Sequence, residues 1–390
     1  MKNKSPFKVI NCGLAGSLLL LILSLASCTQ KKTSETGQGA DTSGSTMSND
    51  SSMAGKLDEL KPKGPKPAWA PSILPAMQVV LKKLASYGYQ DKPIYELPAK
   101  EARLSPTPTM AVMAVMKDHN IMMPAPKVDT AGQQIPVGEG QSIHARIYTP
   151  KIGQAPFPVI VYYHGGGWVI ADIDTYNASA QALAEQVGAV VVSVGYRLAP
   201  EHKFPTQQND AFAAYQWVLN NAQTIKGDPK RVAVAGESAG GNLAANVSIM
   251  ARDKKIALPR HQLLVYPIAD NDVNSASYTR YASAKPLDKP MMEYFFKQTL
   301  STDAQRSDPR IALVKANLQS LPGTTLIAAE LDPLQTEGKL LADKLQAAGV
   351  TVTYKRYDGV THEFFGMSTV PSEAKQAQTL AADELKKALK

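Results

Sequence analysis

Residues 232–240 read VAVAGESAG, and this short stretch decides how the rest of the chain is interpreted. Its small and β-branched first half predicts a buried strand, and the alanine-rich segment after it predicts a helix. Ser238 lies between the two. Gly236 stands two residues before it and Gly240 two residues after it. A serine on a tight strand–turn–helix connection is typical of a nucleophile elbow, where side chains in place of the glycines would clash with strand or helix. The stretch therefore predicts that Ser238 is a nucleophile.

Apolar runs alternate with helical patterns around this stretch. The strand candidates are 158–163, 189–194, 231–235, 262–266, 324–329 and 352–357. The helix candidates are 178–187, 207–222, 240–252, 335–348 and 372–389. Because strands alternate with helices and the first five strands are almost wholly apolar, we expect a mostly parallel sheet covered by helices on both faces. Residues 142–148 alternate in polarity and predict an antiparallel edge strand that leads into this sheet.

Three consecutive glycines at 165–167 follow the first apolar strand directly. They could form a flexible loop, but their place after a buried strand favours a close approach of the backbone to a ligand. The expected hydrogen-bond donors to a developing oxyanion are the N–H groups of Gly166, Gly167 and Ala239.

Four motifs, in their order and spacing, resemble those of the hormone-sensitive-lipase-like bacterial esterases, the family IV carboxylesterases. The motifs are HGGGW at 164–168, YRLAPEHKFP at 196–205, GESAGG at 236–241, and DPL at 332–334 with EG at 337–338. The resemblance implies an α/β-hydrolase fold, with a mostly parallel twisted sheet flanked by helices and an N-terminal helical cap. It covers residues 125–390 by motif, and the cap by position only.

The resemblance also implies a catalytic triad of Ser238, Asp332 and His362. Asp332 follows the strand candidate 324–329, and His362 follows the last strand candidate. Both fall at the carboxyl ends of strands, which is where open α/β sheets place catalytic groups. His164 is then a structural support for the glycine loop, and Asp210 a support beside the YRLAPEHKFP segment.

Two residues depart from the family pattern. Glu237 stands where the family usually has aspartate, and Glu363 follows His362 where it usually has glycine. We expect the Glu363 carboxylate either to shift the pKa of His362, and with it the pH optimum, or to point to solvent. Trp168 either walls the substrate pocket or packs in the core.

A serine–histidine–aspartate triad with oxyanion donors predicts hydrolysis through an acyl-enzyme. The predicted function is a serine carboxylesterase acting on short- to medium-chain esters, without a cofactor. The alternatives are an amidase or deacetylase with the same triad, and a catalytically silent ligand-binding protein on the same fold. The chain has no histidine and carboxylate spacing of the kind that predicts a metal site.

Residues 67–125 are helical in pattern, punctuated by proline and rich in methionine. Core packing of a small helical element and a cap over the active site are both consistent with this composition, because thioethers fill cores and also line adaptable pockets. We expect residues 126–390 to form the catalytic domain.

The N-terminus has the layout of an export signal, with three lysines, an apolar run at 14–25 and small residues before Cys28. The stretch LASC resembles the bacterial lipobox, which implies removal of residues 1–27 and lipidation of Cys28. Export to the cell envelope follows, to the outer membrane if the cell is Gram-negative. The alternative is a plain signal peptide or a short anchor helix. Residues 28–66, rich in Ser, Thr, Gly and Lys, predict a flexible tether.

The formal net charge of +8 falls to +5 when the three lysines of the signal are removed. The remaining positive residues are scattered, which indicates a solvated surface rather than a nucleic-acid site. The only other cysteine, Cys12, leaves with the signal, so no disulfide is expected. The expected partners are a small-molecule ester and, through Cys28, a membrane, and the expected assembly is a monomer or a homodimer.

Overall fold

The computed structural model describes residues 60–88, 92–123 and 125–390. The export signal, Cys28 and most of the tether predicted for residues 28–66 lie outside these ranges. All of the described residues belong to one compact unit, Ser48–Lys390. In the described ranges, no helix combines the length and the apolar character that crossing a membrane would require.

An eight-stranded sheet forms the centre of the fold. Its strands are β1 (Val128–Gly138), β2 (Gln141–Pro150), β3 (Phe157–Tyr163), β4 (Val190–Gly195), β5 (Gly227–Glu237), β6 (Gln262–Val265), β7 (Thr324–Leu331) and β8 (Val352–Thr361). They lie in the order β1-β2-β4-β3-β5-β6-β7-β8. Strand β2 is antiparallel to both of its neighbours, and all other neighbouring pairs are parallel. The predicted mostly parallel sheet is therefore confirmed.

One strand was not expected from the sequence. The strand predicted at 142–148 exists as β2 and is antiparallel, but it is not at the edge, because β1 pairs along its outer side. Strand β1 is polar, and only Val128 and Ile135 in it are buried. Backbone pairing with β2 rather than apolar burial forms this strand, so hydrophobic patterning gave no signal for it.

Helices cover both faces of the sheet. They are α1 (Pro75–Ala85), α2 (Ala99–Ala102), α3 (Pro108–Asp118), α4 (Asn177–Val187), α5 (Thr206–Asn221), α6 (Ala239–Asp253), α7 (Ala276–Arg280), α8 (Lys289–Thr299), α9 (Gln335–Ala347) and α10 (Ser372–Ala388). Five 3₁₀ turns occur at Ile94–Glu96, Ala222–Ile225, Asp303–Ser307, Leu313–Lys315 and Phe364–Met367 within the described ranges. The five helices predicted in the catalytic region correspond to α4, α5, α6, α9 and α10.

The apolar character of the parallel strands follows from burial on two sides. Along β3, Val159 and Val161 belong to one buried cluster, with residues of α5, α6 and α9. Ile160 and Tyr162, which point the other way, belong to a second cluster, with residues of α4 and α10. Since alternate side chains enter different cores, neither face of the strand can be polar.

Helices α1 and α3 confirm the helical pattern of residues 67–125. Met77 and Val80 of α1 and Val112 and Met116 of α3 are buried in the second cluster. Of the methionines in this segment, Met77 and Met116 are packed in the core, whereas the other four are exposed: Met110, Met113, Met122 and Met123. Whether this segment is a domain of its own, with the predicted boundaries, stays a prediction.

The connection from β5 to α6 is tight. Ser238 alone separates the two elements and has φ 55° and ψ −117°. A Cβ atom on Gly240 would overlap the carbonyl oxygen of Tyr163 at the end of β3. One on Gly236 would overlap the carbonyl oxygen of Gly240. Both glycines are therefore required by the closeness of α6 to the sheet.

We expect Gly240→Ala to lower the free energy of unfolding by about 2 kcal/mol or more, because the added methyl group meets rigid backbone. Gly338→Ala in α9 is the matched control. Its Cβ would lie 3.7 Å from the nearest atom, on Leu326, and alanine favours a helix, so no loss is expected. Urea unfolding followed by circular dichroism measures both. An equal loss of stability in the two variants would contradict the close approach at Gly240.

Candidate active site

The three residues of the predicted triad follow three strands of the sheet. Ser238 follows β5, Asp332 follows β7 and His362 follows β8, and all three are buried. Nδ1 of His362 lies 2.7 Å from Oδ2 of Asp332. The other oxygen of Asp332 accepts a hydrogen bond from the backbone N–H of Leu334 at 2.9 Å. The structure thus brings Asp332 and His362 into contact, and Ser238 and His362 line the same cavity.

Hydrogen bonds hold the unusual backbone of Ser238 from both sides. Its N–H donates to the carbonyl of Val265 at the end of β6, at 2.9 Å. Its own carbonyl accepts from the N–H groups of Asn242 and Ile268, each at 3.1 Å. A non-glycine residue with positive φ persists only where its surroundings impose it. Here the neighbouring strand, the helix and the loop after β6 together impose it.

The glycine loop after β3 reaches the same cavity. Gly166 has φ +95° and Gly167 has φ +59°, and both line the cavity beside Ser238. A Cβ atom on Gly166 would overlap the carbonyl of Ile170, and one on Gly167 would overlap the ring of Phe295. Positive φ and close packing together explain why glycine is needed at these positions. Ala239, the third predicted oxyanion donor, is the first residue of α6, where a helix carries partial positive charge.

The cavity has a volume of about 600 Å³, which is in the size range of small-molecule sites. Apolar side chains near Ser238 form much of its wall: Ile170, Leu198, Leu287, Met291 and Phe295. Residues from the end of α1 and from the segment before α3 also contribute, among them Leu84, Arg103 and Pro106. None of the methionines of residues 67–125 is among the lining residues, so thioethers of this segment do not form the pocket.

Trp168 lies in the core. Its side chain is fully buried, is not among the residues that line the cavity, and packs against Phe296 with 6.4 Å between ring centroids. Of the two roles considered from the sequence, the structure supports packing and contradicts the pocket wall. The positive φ of Trp168, 63°, continues the sharp turn of the glycine loop and directs the ring inward.

His164 supports the glycine loop, as expected. Its ring stacks on that of Tyr196 at 4.3 Å, and the Tyr196 hydroxyl donates to the carbonyl of His164 at 2.9 Å. Burial lowers the pKa of His164 to about 4, so the ring is neutral at physiological pH. Asp210 holds Arg197 of the YRLAPEHKFP segment, with Oδ1 and Oδ2 both accepting from the guanidinium.

Two carboxyl groups, one buried and one partly buried, and three tyrosines lie beside the candidate triad. Tyr162 donates to Oε1 of Glu237 at 2.5 Å, and Tyr266 donates to Oε2 of the same carboxyl group. Tyr176 donates to Oε1 of Glu363 at 2.5 Å. Burial raises the pKa of Glu237 to about 7, and the nearby charge of Glu363 adds to the shift. The pKa of Glu237 therefore lies close to physiological pH.

Sequence reasoning did not find the three tyrosines. Tyr162 lies in β3, Tyr266 directly follows β6, and Tyr176 directly precedes α4, so they are far apart along the chain. An available signal was the position of two of them at strand ends. Tyr162 lies near the end of β3, next to the glycine loop. Tyr266 follows β6, which is two strands away from β8, the strand that precedes His362.

Comparison with known proteins gives consistent matches. A family model described as an alpha/beta hydrolase fold matches residues 160–366. An ethyl acetate hydrolase of Pseudomonas putida is 32% identical over 302 residues, which is 76% of this chain and 92% of that protein. A carboxylesterase of Mycobacterium tuberculosis is 38% identical over 251 residues, 63% of this chain and 79% of that protein.

Solved structures agree with these sequence matches. An esterase of Pyrobaculum calidifontis superposes with a TM-score of 0.72 and 35% identity, covering 82% of this chain and all of that one. A thermostable esterase of Pseudomonas putida gives a TM-score of 0.74 at 33% identity, covering 82% of this chain and 99% of that one.

The raised pKa of Glu237 predicts a specific pH dependence of stability. Between pH 4.5 and about 7, the folded state keeps a proton on Glu237 that the unfolded chain releases. The contribution of this proton to the free energy of unfolding is therefore complete below pH 4.5 and is lost as the pH rises through about 7. We expect the wild type to lose up to about 3 kcal/mol more than Glu237→Gln between pH 4.5 and pH 8.

Urea unfolding at the two pH values measures this difference. Glu373→Gln, which removes a partly exposed carboxylate at the start of α10, is the control and should keep the wild-type pH dependence. If Glu237→Gln and the wild type lose the same stability over this range, Glu237 does not titrate as a buried acid.

Proposed function

The chain belongs to the α/β-hydrolase fold family and is a carboxylic ester hydrolase, and we propose that it cleaves short- to medium-chain acyl esters through a Ser238–His362–Asp332 triad. The observation that carries the proposal is the 2.7 Å contact between His362 and Asp332 at a cavity also lined by Ser238. A base oriented by a carboxylate, at a cavity that a serine also lines, is the arrangement that acyl transfer requires.

Each member of the triad has a role defined by its contacts. Nδ1–H of His362 donates to Asp332, which leaves Nε2 as the nitrogen that accepts the proton of Ser238. Ser238 Oγ attacks the ester carbonyl while its O–H bond breaks and the Nε2–H bond forms. His362 then protonates the leaving alcohol, and water releases the acyl group by the same steps in reverse order.

The negative charge that develops on the carbonyl oxygen needs donors in fixed positions. We propose the backbone N–H groups of Gly166, Gly167 and Ala239 for this role. Support comes from the cavity position of the two glycines and from the location of Ala239 at the start of α6. Because such donors are held in place before the reaction begins, they can lower the barrier by several kcal/mol.

The size of the cavity supports small acyl groups. A volume of about 600 Å³ that is walled by Leu198, Leu287 and Phe295 accommodates short and medium chains in an apolar setting. The name of the Pseudomonas putida relative, ethyl acetate hydrolase, also points to short esters. We propose that α1, α2 and α3 act as the cap, since residues at the end of α1 and before α3 contribute to the cavity wall.

The test is hydrolysis of a p-nitrophenyl ester series, from acetate to palmitate, by the full chain purified in detergent. We expect activity on the short members, and a loss of at least about 10³-fold in Ser238→Ala because the nucleophile is absent. Ser248→Ala, which removes another buried serine from α6, is the control and should remain active. A folded wild type that hydrolyses none of the esters would overturn the proposal and favour an amide substrate or a binding role.

We also propose that the protein is exported and anchored in the cell envelope through lipidated Cys28, with residues 29–66 as the tether. The support is the sequence: a basic start, an apolar run and LASC before a segment of small and polar residues. A diacylated residue holds a protein on a membrane stably, whereas one acyl chain would hold it marginally. We propose a monomer or a homodimer as the assembly.

We expect the wild type to sediment with membranes and to incorporate radiolabelled palmitate in a bacterial host. Cys28→Ser should lose both properties, because the acylated thiol is absent. Cys12→Ser, inside the predicted signal, removes the only other cysteine and should retain both. Palmitate incorporation that survives in Cys28→Ser would contradict anchoring at this residue.

A further inference from the structure

Glu363 occupies a backbone conformation that suits glycine. Its φ is 69°, in the left-handed region, and it directly follows His362. A glutamate in this region is strained, whereas the glycine that is usual at this position in the resembling esterases is not. A strained residue beside a reacting group indicates that its side chain contributes something that glycine does not.

The carboxyl group of Glu363 is held against the base. Its Oε1 accepts a hydrogen bond from the hydroxyl of Tyr176 at 2.5 Å and lies 3.9 Å from Nε2 of His362. Tyr176 is itself buried and directly precedes α4. Glu363 also lines the cavity together with Ser238, and its side chain is 20% exposed. Of the two orientations considered from the sequence, it therefore adopts the one that faces the base.

The two ring nitrogens of His362 then have different acidic neighbours. Nδ1 is hydrogen-bonded to Asp332, and Nε2 is within ion-pair distance of Glu363. Nε2 is the atom that receives the proton of Ser238 in the proposed reaction. Each time that proton is transferred, positive charge appears on the imidazole directly beside the Glu363 carboxylate.

We propose that Glu363 is a positioning residue for the esterase reaction proposed above: its carboxylate stabilises the protonated form of His362 and thereby sets the pH at which the base becomes available. The expected effect on activity rests on the proposed function. The pairing of Glu363 with His362 can be measured without any substrate.

The other titratable groups near this pair lie on several surrounding elements. They are Asp332 after β7, Glu237 at the end of β5, Tyr162 of β3, Tyr196 after β4, Tyr266 after β6, Tyr176 before α4, and His164 and Asp172 in the loop after β3. Two of the tyrosines hold Glu237, so that carboxyl group faces them. Glu363 therefore provides the carboxylate at the Nε2 side of the ring.

The protonation states of His362 and Glu363 depend on each other. Burial lowers the pKa of His362, but the charges of Asp332, Glu363 and Glu237 outweigh burial, so the pKa is raised above 6.5. Burial raises the pKa of Glu363, and the charge of His362 opposes that shift. The carboxylate is thus favoured most when the imidazole is protonated, which is the state that follows proton transfer from Ser238.

Two opposite effects on activity follow from this pairing. In the free enzyme, Glu363 favours protonated His362, which cannot act as a base, so it lowers activity at acidic pH. During the reaction, it stabilises the imidazolium that forms, so it raises activity at higher pH, where the base is free. A residue that only maintained the fold would change both regions of the pH profile in the same direction.

The test is the pH dependence of kcat/KM for p-nitrophenyl butyrate in the full chain. In Glu363→Gln we expect the acid limb to move to lower pH by about one unit, since an opposite charge at this distance shifts a pKa by one or more units. We expect the plateau at higher pH to fall by a smaller factor, about threefold, because the proton is only partly transferred in the transition state. Glu363→Gly should behave in the same way, and it relieves the backbone strain, so it covers the case in which the glutamine variant fails to fold. Glu373→Gln, at the start of α10, is the control for loss of one partly exposed carboxylate and should keep the wild-type profile.

A second measurement is independent of catalysis. NMR titration of the ¹⁵N-labelled His362 imidazole should give a lower pKa in Glu363→Gln and Glu363→Gly than in the wild type. An unchanged His362 pKa in both variants, or an unchanged acid limb, would overturn the proposal. If the wild type hydrolyses no ester while the His362 pKa still shifts, the proposed function fails and the pairing stands.

Discussion

The backbone of Ser238, held at φ 55° and ψ −117°, is the constraint on which the rest of the site depends. This conformation turns the chain from β5 into α6 within one residue, and it is imposed by hydrogen bonds to Val265, Asn242 and Ile268. The close turn brings α6 against the end of β3, which only a glycine at 240 permits. The strained serine and the packing of the central sheet are thus parts of one arrangement.

The order of the strands explains why distant segments of sequence meet at this serine. Strand β5 lies between β3 and β6, and β7 and β8 follow β6. All five are parallel, so their carboxyl ends share one edge. The glycine loop after β3 therefore reaches Ser238 from one side, while His362, held by Asp332, reaches the cavity from the other. Open parallel sheets generally place ligands at this edge.

A buried polar layer lies next to these residues. The carboxyl group of Glu237 accepts hydrogen bonds from two tyrosine hydroxyls and that of Glu363 accepts one, and these bonds offset the loss of water around the two groups. The ring of Tyr266 also packs against His362, with 4.5 Å between the ring centroids. The base is therefore fixed by Asp332 at one nitrogen, by an aromatic ring on its side and by a carboxyl group near its other nitrogen. Such a site keeps the imidazole oriented before a substrate arrives.

The sequence predicted those parts of the molecule that burial dictates. The apolar strands, their helices and the turn at Ser238 follow from hydrophobic pattern and glycine placement. Strand β1 was missed because backbone pairing forms it, and the tyrosines around Glu237 and Glu363 were missed because only the folded sheet brings them together. Pattern alone also left open the positions of Trp168 and Glu363. Their positive φ angles, which direct one side chain into the core and the other toward the base, depend on the loop conformations.

The most direct test of the account is a crystal structure of the protein after reaction with an alkyl phosphonate that mimics the tetrahedral intermediate. The account predicts phosphorus bonded to Oγ of Ser238, with its oxygen within about 3 Å of the backbone nitrogens of Gly166, Gly167 and Ala239. Phosphorus attached to another residue, or an oxygen that points away from the glycine loop, would contradict it.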